Sequence, residues 1–98
     1  MVKETKVTLA MQKLLYETIL NCKTAEDLDK LFEDLCTYKE IEQMAQRVAA
    51  AQMLKDGKTY ADIIEKTDIS SATLSRVSRC VQRGSGGYQT FLPDTGKE

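Results

Sequence analysis

Near its C-terminal end the chain sets hydroxyl, amide and guanidinium side chains at helical spacing. At about 3.6 residues per turn, Ser71, Ser75, Ser78 and Gln82 align as one ridge, and Arg76, Arg79 and Arg83 as a second ridge beside it. Short hydroxyls let a backbone come close to base edges, and guanidinium groups hold phosphates or the O6/N7 edge of guanine. This is the chemistry of reading a nucleic acid. Cations at the end of a helix also complement its dipole, so the arginines by themselves would read as an ordinary solvated terminus. Their company decides otherwise: the serine ridge lies beside them, two short helices stand at helix-turn-helix spacing, and no acid occurs from Ile69 through Pro93.

Other chemistry finds little to work with. The sequence contains no His, the commonest general base, and no Gly-rich loop of phosphate-binding spacing. Cys22, Cys36 and Cys80 form no C-x-x-C pair, so neither zinc nor a disulfide framework is indicated, and the three thiols are expected reduced and buried on helix faces. No enzyme, no cofactor and no metal are expected. No apolar run approaches the roughly 18 residues of a membrane span, and the opening Met1-Val-Lys-Glu-Thr-Lys has no signal core behind it, so a cytoplasmic location without membrane contact is expected. The net charge of −1 does not argue for DNA, but its distribution does. Glu26, Asp27, Asp29, Glu33, Asp34, Glu40 and Glu42 crowd one part of the chain, which leaves a basic reading end and an acidic end that the field of DNA turns away.

The elements that must position the ridges are all helical. With 98 residues, six aromatics, no Trp and an apolar content weighted to Leu, Ile, Val, Ala and Met, the expectation is an all-α fold over residues 1–84 as a single domain. Val7, Met11, Leu14, Leu15, Ile19 and Cys22 make the first stripe. Thr24 with Asp27, Thr37 with Glu40 and Thr59 with Asp62 are capping boxes that open the second, third and fourth helices. The third runs to a stop at Gly57, and from Val48 to Leu54 its only polar residue is Gln52. A helix so apolar needs cover on more than one side, and too little chain remains to supply it, which points to a homodimer. The fourth helix, Tyr60 to about Lys66, is separated by Thr67-Asp68-Ile69 from a fifth that starts at Ser70 or Ser71 and stops at Gly84. Two short helices across about three residues are the helix-turn-helix pattern, here over about residues 59–83. Ser85-Gly86-Gly87 reads as a linker into a flexible tail, 85–98, in which Tyr88, Phe91 and Leu92 are the residues able to pack back on the body.

Two segments carry a family resemblance: Thr37-Tyr-Lys-Glu-Ile-Glu-Gln-Met-Ala-Gln-Arg47-Val, and Tyr60-Ala-Asp-Ile-Ile-Glu-Lys-Thr-Asp-Ile-Ser-Ser-Ala-Thr-Leu-Ser-Arg76. The chain resembles the Trp repressor family, and within it the YerC/YecD branch, over about residues 8–83. The resemblance implies an intertwined all-α homodimer with two recognition helices about 34 Å apart, entering successive major grooves of double-stranded DNA. By position, it implies base reading by Ser70, Ser71, Ala72, Thr73 and Ser75, with Arg76 between the DNA and an effector pocket. That pocket would comprise Thr37, Arg47, Arg76, Val77 and Cys80. The chain departs from the family in three places. Asp68 stands in the turn where Gly is common, though Asp tolerates the left-handed conformation better than most residues. Val77 and Cys80 stand where the tryptophan-binding members have Gly and Ser. A β-branched side chain intrudes on the slot for a flat ring, and a thiol is a weak partner for an ammonium, so tight tryptophan binding is not expected. The family's last helix has no counterpart in the sequence.

These readings converge on an all-α, dimeric, sequence-specific DNA-binding regulator, acting most simply as a repressor that occupies an operator. A small-molecule effector other than tryptophan is compatible with the pocket, as is a pocket filled by Val77 that leaves DNA binding constitutive. The alternative is that the two-helix unit is a protein-interaction module on the transcription machinery, with the acidic second helix as its face.

Overall fold

The computed structural model describes residues 6–94. Among them are six α-helices and no strand: α1 (Lys6–Leu20), α2 (Ala25–Leu35), α3 (Tyr38–Lys55), α4 (Tyr60–Thr67), α5 (Ser71–Arg83) and α6 (Gly87–Phe91). The chain divides into two compact units at the boundary between Tyr38 and Lys39.

The first unit holds α1 and α2. The Thr24 hydroxyl accepts the Asp27 amide hydrogen bond at 3.0 Å, and the Asp27 carboxylate accepts from the Lys23 amide at 2.9 Å, so two backbone donors at the start of α2 are satisfied by side chains. Among its described residues several are half-buried, Ile19, Leu31 and Phe32 among them, but none is fully buried. Val7, Met11, Leu14 and Leu35 are exposed, as is Leu20 at 77% of its surface. No residue from Val7 through Ala49 is buried.

The second unit has a core. Ala50 and Ala51 of α3, Ile63 of α4, Ile69 of the turn, and Leu74 and Val77 of α5 are buried together, with Met53, Leu54, Ile64, Val81, Tyr88 and Leu92 packed around them. Small residues on α3 let the neighbouring helices approach closely, and Ile63 and Leu74 fill the space between. Gly57, at φ +83°, ends the run after α3 in the left-handed conformation that glycine adopts without penalty. Thr59 caps α4, accepting from the Asp62 amide at 3.2 Å.

Two sequence expectations need correction here. None of the three cysteines is buried: Cys22 and Cys36 are half-buried and Cys80 is exposed, and all three are free thiols. The segment after Gly84, expected as a flexible tail with no helix to follow α5, holds α6, with Tyr88 and Leu92 against the core and Phe91 facing solvent. A five-residue helix has no stability of its own, so its order comes from this docking.

A candidate nucleic-acid interface on the fifth helix

Backbone geometry first fixes where α5 begins. Asp68 sits at φ 63°, the left-handed conformation, and closes α4 by donating its amide to the Ile64 carbonyl at 2.9 Å. The Thr67 hydroxyl donates to the Ile63 carbonyl at 2.7 Å and accepts from the Ile69 amide at 3.2 Å, so one side chain serves both ends of the turn. Gln46 of α3 donates to the Thr67 carbonyl at 3.2 Å and ties the turn to the helix beneath it. With Ile69 buried, the turn is anchored on both sides. Of the two candidate caps, Ser70 is the one used: its hydroxyl accepts from the Thr73 amide at 3.2 Å and donates to the Thr73 hydroxyl at 2.9 Å.

The face so positioned is the one outlined by the spacing, with one change. Ser71, Ala72, Ser75, Arg76, Arg79 and Arg83 are exposed on α5. Ser78 is not: it is only 6% exposed, and its hydroxyl accepts from the Gln82 amide group at 3.4 Å. The hydroxyl ridge therefore breaks after Ser75. Ser70 and Thr73, assigned to base reading by position, are engaged with each other at the cap, which leaves Ser71, Ala72 and Ser75 as the unencumbered short side chains at the start of the helix.

Two clefts flank this helix within the second unit. One, of about 490 Å³, borders its N-terminus and brings Lys39, Gln43 and Arg47 of α3 opposite Ser70 and Thr73. Glu42 and Asp68 also line it, so its cations and carboxylates balance. The other, of about 370 Å³, is lined by Arg47, Thr73, Arg76, Val77, Cys80 and Tyr88. It has two guanidinium groups and no carboxylate, which makes it the more suitable of the two for an anion. Four of the five residues expected in an effector pocket meet there, while Thr37 does not line it. Tyr88 was missed, because it follows three glycines and a serine that read as a linker; the apolar pair Tyr88 and Leu92, four residues apart, is the signal that could have found it. Among the described residues no group of His, Cys, Asp or Glu could hold a metal ion.

A family model described as the Trp repressor protein matches residues 10–95. The chain belongs to the Trp repressor family. Over 78 residues it is 44% identical to a protein of Bacillus subtilis (strain 168) named uncharacterized protein YerC, an alignment covering 80% of this chain and 75% of the relative. Two solved structures share its fold. A protein from Staphylococcus aureus, described as a candidate Trp repressor, superposes with a TM-score of 0.82 at 36% identity, covering 91% of this chain and 92% of the other. A TrpR-like protein from Eubacterium eligens ATCC 27750 superposes with a TM-score of 0.78 at 40% identity, covering 88% and 84%. The fold is therefore that of Trp-repressor-like proteins, a group of DNA-binding transcription regulators. No helix among the described residues is long and apolar enough to cross a membrane.

Proposed function

We propose that this member of the Trp repressor family is a sequence-specific double-stranded DNA-binding regulator of transcription that acts as a homodimer. One observation carries the reading: α4, a turn anchored by Thr67 and Asp68, and α5 form a helix-turn-helix, and α5, which contains no acid, exposes Ser71, Ala72, Ser75, Arg76, Arg79 and Arg83. Short side chains at the start of α5 read base edges in the major groove, where the Ala72 methyl suits the methyl of thymine. Arg79 and Arg83, further along, hold phosphates and position the helix without reading sequence.

The dimer is supported by the first unit. Helices with no buried residue do not persist singly in water, because tertiary packing supplies most helical stability. A second copy covers the exposed stripe of α1 and α2, together with Val48, which is 47% exposed on the most apolar stretch of α3. Occupation of an operator by such a dimer blocks access to it, the simplest mode of action for a regulator of this kind.

The cleft between Arg47 and Arg76 supports effector control by a small anion, with tryptophan disfavoured. Val77 is buried and stands in the cleft wall, where a β-branched side chain leaves a flat indole less room than Gly would. Selection of binding sites from a random duplex library, repeated at several salt concentrations, tests the whole reading. Specific sites should be recovered, and their affinity should fall steeply and log-linearly with salt as counterions compete. Recovery of no preferred sequence together with capture of a transcription protein would replace it with the interaction-module reading, carried by the acidic face of α2.

A further inference from the structure

The C-terminal segment is fastened to α5 at several independent points. Gly84 turns the chain at the end of the helix, where any side chain would collide, since a Cβ at that position would run into the Cys80 carbonyl oxygen. Gly86, at φ +92°, starts α6 in a conformation that other residues rarely adopt. The Gln89 side-chain amide then reaches back eight residues and donates to the Val81 carbonyl at 2.9 Å. That carbonyl belongs to the last turn of α5, whose acceptors have no partner within the helix. Tyr88 and Leu92, four residues apart and so on one face of α6, lie against the core that holds Leu74 and Val77 of α5. Tyr88 also forms part of the wall of the cleft between Arg47 and Arg76.

We infer that α6 is a strap that holds the recognition helix in position and supplies, through Tyr88, one wall of the Arg47–Arg76 cleft from the chain's own C-terminal segment. The inference rests on the DNA-binding reading for its functional consequence, while the mechanical part stands apart from it. The C-terminal half of α5 has core contacts on one side through Val77 and Val81, and α6 supplies the cover that keeps its last carbonyls and the cleft wall in place. Bonds of this kind set the local opening equilibrium of a helix end.

The experiment compares amide hydrogen exchange and DNA affinity of the full chain with those of Tyr88→Ala, Tyr88→Phe and Gln89→Ala. Exchange at residues 78–83 should rise about tenfold in Tyr88→Ala and a few-fold in Gln89→Ala, while amides of α4 change less than about twofold. Tyr88→Phe, which keeps the ring on the core, should remain close to the unmodified protein. Affinity for the duplex selected from the library should fall in the same order as the exchange rises. Unchanged protection of α5 in both Tyr88→Ala and Gln89→Ala would overturn the strap, whatever the DNA result. Raised exchange in a protein that selects no duplex would leave the strap standing and remove the DNA reading. Gln89 is exposed and bears no core contact, so its variant folds even if the loss of Tyr88 disturbs the second unit as a whole.

Discussion

Ser71 and Ser78 are seven residues apart on the same helix and fall on one ridge of an ideal wheel, yet one is exposed and the other buried. They therefore make a matched pair for testing readout. Ser71→Ala should change the preferred DNA sequence, whereas Ser78→Ala should leave it unchanged, as compared by repeated site selection. Arg83→Ala should weaken binding to cognate and random duplexes alike and reduce the salt slope by about one unit, the signature of one lost phosphate contact. Equal losses on both kinds of DNA for all three substitutions would assign recognition to some other surface. Val77 poses a different question. Titration calorimetry with L-tryptophan should show no micromolar binding by the unmodified protein, since a buried β-branched side chain stands in the wall of the cleft. Val77→Gly opens that wall. A gain in tryptophan affinity on this change identifies steric filling as the cause, and no gain points to Cys80 as the missing partner.

At the scale of the elements, the turn between α4 and α5 makes the sharpest prediction. A non-glycine residue in the left-handed region costs about 1 kcal/mol, and Asp68 is the one such residue among those described. Asp68→Gly should raise stability by up to about 1 kcal/mol, and Asp68→Val should lower it by more than that, both read from urea unfolding midpoints. Element order and most boundaries were legible because they are written in local chemistry. Thr24, Thr59 and Ser70 cap helices by hydrogen bonds from residues three positions on, and Gly57 and Asp68, both at positive φ, end the preceding helices through their backbone. What was not legible depends on neighbours far along the chain. The burial of Ser78 follows from the packing around α5, which a wheel does not contain. The helix after Ser85-Gly86-Gly87 exists because Tyr88 and Leu92 find the core, while the glycines that read as a flexible linker in fact make the turn that delivers them there. The cleft assembles Arg47 with Arg76 across 29 positions of sequence, and the family resemblance, not spacing, put them together.

At the scale of the molecule, the two units contrast in what they bury: the second closes a core around Ile63 and Leu74, and the first closes none. Sedimentation at micromolar concentration should give about twice the monomer mass of 11.0 kDa, and a species of that single mass would overturn the dimer. Replacing Leu14 by Lys, on the exposed face of α1, should shift the population toward monomer, because a charge on an apolar contact between copies is left without a partner. The proposed dimer, in which the interior is completed by association, would have a further consequence in the economy of the cell rather than in the structure. The melting temperature of such a protein is not a constant but rises with its concentration, since each copy is a stabilising ligand for the other. Below the dissociation constant of such a dimer the N-terminal helices would lose their cover and become substrate for proteases, while above it they would be protected. Control of gene expression by this chain would then carry a threshold in its own abundance: small changes in synthesis near that level would be sharpened by turnover of the unpaired copies, with no effector required.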